Sequence, residues 1–72
     1  NVARAMGNSG DPLYITDLVR AFRENADERV KGMSAWALGR IGGSKAKEVL
    51  ESFVGESAGL VKREVLDALN RC

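Results

Sequence analysis

Residues 27–43, DERVKGMSAWALGRIGG, contain the most informative helical pattern of this 72-residue chain. Small and apolar residues recur there at the spacing of one helical face, and they are Val30, Ser34, Ala37, Leu38 and Ile41. Asp27 stands where it can cap the first turn, and Gly42 or Gly43 can end the last one. The stretch therefore predicts a helix over residues 28–41 with one packed side.

Parts of this pattern occur again on both sides. The tripeptide AMG at positions 5–7, with a glycine at position 10, matches ALG at 37–39, with a glycine at position 42. Val, Ala and Leu at positions 30, 37 and 38 recur as Val, Ala and Leu at positions 61, 68 and 69. A spacing near 31 residues indicates an array of helical repeats, of which the chain holds a little over two.

The flanking segments predict further helices and no strand. Residues 1–8 resemble the end of a helix, and Asp11 with Pro12 begins the next one, which runs to about residue 25. Ser44 is the expected cap of a fourth helix that stops at Gly55, and the last helix covers about 58–71. The expected packed faces consist of Leu13, Ile15, Leu18, Val19 and Phe22; of Ala46, Val49, Leu50 and Phe53; and of Leu60, Val61, Val65, Leu66, Ala68 and Leu69.

Two glycines, Gly7 and Gly39, occupy equivalent positions inside predicted helices. Each costs about 1 kcal/mol relative to alanine in a helix interior. Because the cost recurs, we expect a recurring benefit, namely close approach of a neighbouring helix rather than contact with a ligand.

Composition limits the function. The net charge is +1, there is no histidine, and the one cysteine is the last residue, so the sequence offers no metal cluster, internal disulfide or catalytic constellation. Neither a signal peptide nor a membrane-spanning run is present, and a reducing, cytoplasmic compartment is expected.

We expect one non-enzymatic domain over 1–72, cut from a longer chain. In it, residues 1–10 end a truncated repeat, and residues 11–43 and 44–72 each form a helical pair.

The pattern DxxVK at 27–31, followed by SAxALGxIG at 34–42, resembles the HEAT-like repeats of the phycobilisome lyase type. That resemblance implies an all-α, right-handed α-solenoid of about 2.5 repeats with four to five helices. Helices of the Val30 type would line its concave inner surface.

A narrower resemblance comes from NVARAMGNSGDP at 1–12 and SAWALGRIGG at 34–43, which look like the carboxy-terminal HEAT-like region of epoxyqueuosine reductases. These bacterial enzymes reduce the epoxide of a modified wobble base in tRNA. The resemblance implies that upstream domains of the parent chain hold cobalamin and two 4Fe-4S clusters. It also implies that the helical region grips the tRNA anticodon stem-loop and holds no cofactor itself.

Helical angles place Arg29, Met33, Trp36 and Arg40 on one stripe beside the packed face. Trp36 would either pack on the adjacent repeat or an upstream domain, or lie against nucleic acid beside cationic side chains. Both interpretations stay open.

Basic residues are concentrated between positions 29 and 47, where no acidic residue occurs. Lys45 and Lys47 are expected to pair with Glu48 and Glu51. The repeat spacing adds Arg4 and Arg71 in a row with Arg40, although Glu64 and Asp67 interrupt that row. The predicted nucleic-acid-binding residues are Arg4, Arg29, Lys31, Trp36, Arg40 and Arg71.

Two other functions fit the same residues. A protein-interaction scaffold would use the concave face for another protein or for its own parent chain, and a phycobilin lyase-like subunit would follow the broader repeat resemblance. Exposed apolar ends of the array would also allow self-association.

Overall fold

The computed structural model describes residues 2–72, which form five α-helices and one 3-10 turn without any strand. Their bounds are α1 Val2–Ser9, the 3-10 turn Pro12–Tyr14, α2 Ile15–Glu24, α3 Glu28–Ile41, α4 Gly43–Glu56 and α5 Gly59–Arg71. Helix α3 lies between α1 and α5, and these three form the inner layer. Helices α2 and α4 form the outer layer and pack on α3. The all-α helical solenoid predicted from the sequence is confirmed.

The bounds of α3 agree with the sequence prediction because both of its caps are used. The Asp27 carboxylate accepts a hydrogen bond from the Arg29 backbone N–H at 2.9 Å, and Gly42, with φ 68°, ends the helix. At the first end, Asn1 lies outside the described residues, and the rest of the predicted helix tail is present as α1.

The second helix begins later than predicted. The Asp11 carboxylate does accept the Leu13 N–H at 2.9 Å. The Tyr14 N–H, however, bonds to the Asp11 carbonyl three residues back, so Pro12 opens a 3-10 turn and α2 starts only at Ile15.

Predictions for the two ends of α4 were wrong. Gly42 caps the helix and Gly43, with φ 84°, is its first residue, so Ser44 falls inside the first turn. Gly55 does not stop the helix, which continues to Glu56. The helix ends where Ser57 becomes extended and its hydroxyl donates to the Phe53 carbonyl at 2.7 Å.

The core lies between the two layers. Its buried apolar residues are Ile15, Leu18, Phe22, Ala35, Ala37, Leu38, Ala46, Leu50, Phe53, Val61, Val65 and Ala68. Ser34 is buried among them, and its hydroxyl donates to the Val30 carbonyl at 2.8 Å. Three leucines predicted for packed faces are exposed instead: Leu13 by 83%, Leu60 by 79% and Leu66 by 47%.

Two stacked phenylalanines join α2 to α4 in the outer layer. The ring centroids of Phe22 and Phe53 are 3.8 Å apart, with the planes at 7°. The Arg23 guanidinium covers the Phe53 ring at 5.3 Å and binds Glu56, with Nη2 2.7 Å from Oε2. Lys31 covers the other ring, at 4.9 Å from the Phe22 centroid. The two helices are therefore joined by a stacked pair of rings, each of which also contacts a cationic side chain.

Gly7 and Gly39 lie at helix contacts, as predicted. A Cβ on Gly7 would come within 2.8 Å of the Ala37 Cα, and a Cβ on Gly39 within 2.9 Å of the Ala68 Cβ. The glycine of one repeat thus lies against the alanine of the next, once between α1 and α3 and once between α3 and α5.

Candidate binding groove

An open groove crosses the inner layer, and the described residues that line it belong to α1, α3 and α5. Its volume is about 640 Å³. We call it the inner groove, and its lining residues are Arg4, Glu28, Arg29, Gly32, Met33, Trp36, Leu60, Val61 and Glu64. Because α3 lies between α1 and α5, Arg4 and Glu64 are on opposite sides of the groove.

Trp36 is both a packing residue and a lining residue. It is half-buried and contacts the core, and its Cζ3 lies beside Gly7 of α1, 3.0 Å from where a Cβ would be. Its remaining surface faces the groove. Trp36 therefore packs on the adjacent repeat, which is one of the two interpretations that the sequence left open. Part of its ring also remains accessible from the groove.

Arg40 lies one turn beyond Trp36 on α3. Its guanidinium is 5.8 Å from the centre of the indole ring, within the range of a cation–π contact. Arg40 is exposed and does not line the inner groove. An aromatic ring beside a guanidinium is thus present at the edge of the groove, as the stripe on α3 predicted.

Arg29 faces the groove but is engaged by the cap of its own helix. Its Nη2 is 3.2 Å from Oδ2 of Asp27. Hydrogen bonds from the Arg29 guanidinium, together with one from the Arg29 backbone N–H, lower the pKa of Asp27.

Lys31 and Arg71 are not brought to the inner groove. Lys31 Nζ donates to the Phe22 carbonyl, one of the open carbonyls at the end of α2, so its charge caps a helix. Arg71 is exposed and ends α5. Of the six residues predicted to bind nucleic acid, the structure gathers Arg4, Arg29 and Trp36 around one groove and places Arg40 beside it.

Sequence reasoning missed the acidic and apolar residues on the α5 side of the groove. The spacing of Leu60 predicts that it belongs to a packed face, and the sequence pattern gives Glu64 no role except to interrupt a row of basic residues. Glu64 stands one repeat after Met33, and this equivalence could have identified it as a lining residue. In addition, neither Lys45 nor Lys47 forms an ion pair within residues 2–72, so the expected pairs with Glu48 and Glu51 are not formed.

The groove is suited to binding by surface contact. It combines the apolar Met33, Trp36 and Leu60 with charges of both signs. Across residues 2–72, no group of three His, Cys, Asp or Glu side chains is arranged to hold a metal ion. Over the same range no helix has the length and apolar character needed to cross a bilayer.

Comparison with models of known protein families identifies a family for this chain. The family model described as HEAT repeats matches residues 1–70, which is nearly the whole chain. No curated protein and no solved structure matched the chain.

Proposed function

Since this chain belongs to the HEAT repeat family, we propose that it is a non-catalytic binding module that holds a protein partner in its inner groove. The observation that carries this proposal is the apolar surface of the groove, above all Leu60, which is 79% exposed beside Met33 and Trp36. Stacked helical repeats commonly present such extended surfaces to partners.

The charges of the groove favour protein over nucleic acid. The lining contains two arginines, Arg4 and Arg29, and two glutamates, so it has no excess of cations, and Arg29 is paired with Asp27 outside the lining. A phosphate backbone is held chiefly by an excess of cations, and carboxylates in the same groove would repel it. A protein surface, which carries both signs and apolar side chains, matches this lining better.

The test is a selection of peptides from a displayed helical library against the folded domain, with the binding site mapped by amide chemical shifts. We expect selected peptides to carry large apolar residues and to shift the amides of Met33, Trp36 and Leu60. The Leu60→Glu variant should lose this binding. Leu13→Glu is the matched control, because Leu13 is equally exposed but lies in the 3-10 turn outside the groove. Peptides that bind equally to both variants would contradict the proposal.

A second candidate is a domain that grips a tRNA anticodon stem-loop for an epoxyqueuosine reductase-like iron–sulfur protein. One observation favours it: Arg40 lies over the ring of Trp36 at the edge of a groove that also contains Arg4. Aromatic rings beside arginine are a common platform for unstacked bases. Cobalamin and the two clusters would be bound by other domains of the parent, so this domain would contribute positioning alone.

This candidate predicts salt-dependent binding of a labelled anticodon stem-loop. Arg40→Glu should weaken binding, whereas Arg20→Glu, with the same charge change in the outer layer, should not. An affinity that does not change with salt concentration, or that falls equally in both variants, would count against RNA as the partner.

A further inference from the structure

The lining of the inner groove includes two glutamates, Glu28 and Glu64, and they indicate what kind of protein it binds. Glu64 reaches from α5 towards α3, since its Cγ lies 3.7 Å from where a Cβ on Gly32 would be. Glu28 is one turn before Gly32 on α3 and lines the same groove. Gly32 has no side chain, so nothing from its position fills the space between these two acids.

Neither carboxylate is neutralised by an ion pair within residues 2–72. The ion pairs of this part of the chain join Arg20 to Glu24, Arg23 to Glu56 and Arg29 to Asp27. Arg29, which α3 contributes to the groove, thus forms its ion pair with Asp27, and Asp27 does not line the groove. The other arginine of the lining, Arg4, belongs to α1 on the opposite side of the groove. Glu28 and Glu64 therefore give the α3–α5 side a local negative charge beside an apolar surface.

The mode of binding follows from the fold. The described chain contains no strand and therefore no open sheet edge to which an extended peptide could add. An amphipathic helix that rests its apolar face in a hydrophobic groove is a recurring mode of recognition, and the apolar lining of Met33, Trp36 and Leu60 between helices matches it.

We propose that the inner groove binds a basic amphipathic helix of a partner protein. Its apolar face rests on Met33, Trp36 and Leu60, and a lysine or arginine at the edge of that face lies between Glu28 and Glu64. This inference rests on the proposed function and adds to it the sign of the partner's charge and the side of the groove on which that charge lies.

The experiment uses synthetic helices of about 14 residues, or four turns, that share one leucine face and differ at one flanking position, Lys or Glu. Trp36 is the only tryptophan of the chain, so its fluorescence reports binding at the groove directly. We expect the Lys peptide to bind about tenfold more tightly than the Glu peptide. In the Glu28→Lys/Glu64→Lys double variant this preference should reverse.

The matched control is Glu48→Lys/Glu51→Lys, which makes the same charge change on exposed residues of α4. Reversal in the groove variant but not in the control supports the proposal. Equal binding of both peptides to the original chain, or reversal in both variants, overturns it and leaves the proposed protein-binding function standing. Failure of every peptide to bind, with the chain folded by circular dichroism, counts against the proposed function itself.

Discussion

Gly39 of α3 lies against Ala68 of α5 so closely that a methyl group on the glycine would come within 2.9 Å of the alanine Cβ and 3.0 Å of its Cα. Gly7 and Ala37 make the same contact between α1 and α3. The spacing between neighbouring inner helices is therefore set by the absence of a side chain at one position per repeat.

Replacing Gly39 with alanine should destabilise the domain. Crowding in a packed interior costs about 1–3 kcal/mol, which exceeds the gain of up to about 1 kcal/mol in helix propensity. We expect a lower urea midpoint for Gly39→Ala. Asn70 stands at the equivalent position of α5 and is exposed, so Asn70→Ala is the matched control and should not lower the midpoint. A rise of the midpoint in Gly39→Ala would contradict the close contact.

Gly55→Ala should have the opposite effect. Gly55 is exposed inside α4, and nothing lies within 4 Å of where its Cβ would be. Alanine there gains helix propensity without a steric cost, so stability should rise by about 0.5–1 kcal/mol. Urea unfolding followed by circular dichroism measures this change. An unchanged or lower midpoint would mean that α4 ends before residue 55, as the sequence pattern had predicted.

Lys31→Met should weaken the fold and leave groove binding intact. The substitution keeps the apolar stem but removes the hydrogen bond to the Phe22 carbonyl and the cation above its ring. A loss of about 1.5–3 kcal/mol is expected when a hydrogen bond to a charged group is removed. Lys45→Met is the control, since Lys45 is exposed and forms no ion pair with any other residue of 2–72. If Lys31→Met instead abolished partner binding at unchanged stability, Lys31 would belong to the binding surface.

Acid should weaken the link between α2 and α4. Hydrogen bonds from Arg23 are the main reason that the pKa of Glu56 lies below its ordinary value, with smaller contributions from Ser52 and Lys31. Because the folded pKa is lowered, this stabilisation is complete above the ordinary glutamate pKa of about 4.3 and is lost as the pH falls through the folded value.

The Glu56→Gln variant tests this dependence. Unfolding midpoints measured from about pH 7 down to about pH 2.5 should fall less steeply for Glu56→Gln than for the original chain, and the two curves should converge in acid. Parallel curves over the whole range would show that the Arg23 and Glu56 pair does not contribute to stability.

Local features were predictable from the sequence where they depend on neighbouring residues. The start of α3 follows from Asp27, its end from Gly42, and its packed face from the 3.6-residue spacing. The ends of α4 were mispredicted because Ser44 and Gly55 have the right residue types for a start and a stop, while the actual ends depend on Gly42 and on the Ser57 hydroxyl.

The candidate binding residues also fall into those whose surroundings depend on one helix and those whose surroundings depend on contacts between helices. A helical stripe placed Trp36 and Arg40 together, which the structure shows, because both belong to one helix. Lys31 lies on the same helix, but its role depends on where α2 ends in space, and that cannot be derived from the periodicity of α3.

The array of helical pairs follows from the amino-acid sequence alone, because helix periodicity, caps and repeated glycines are encoded over short distances. The set of side chains that share the inner groove depends instead on tertiary packing. Leu60 and Glu64 come from α5, about 30 residues after the α3 residues they face, and their position depends on how closely Gly39 lets the two helices approach. Contacts between repeats follow from packing distance and helix orientation, and these are properties of the folded chain rather than of any local pattern.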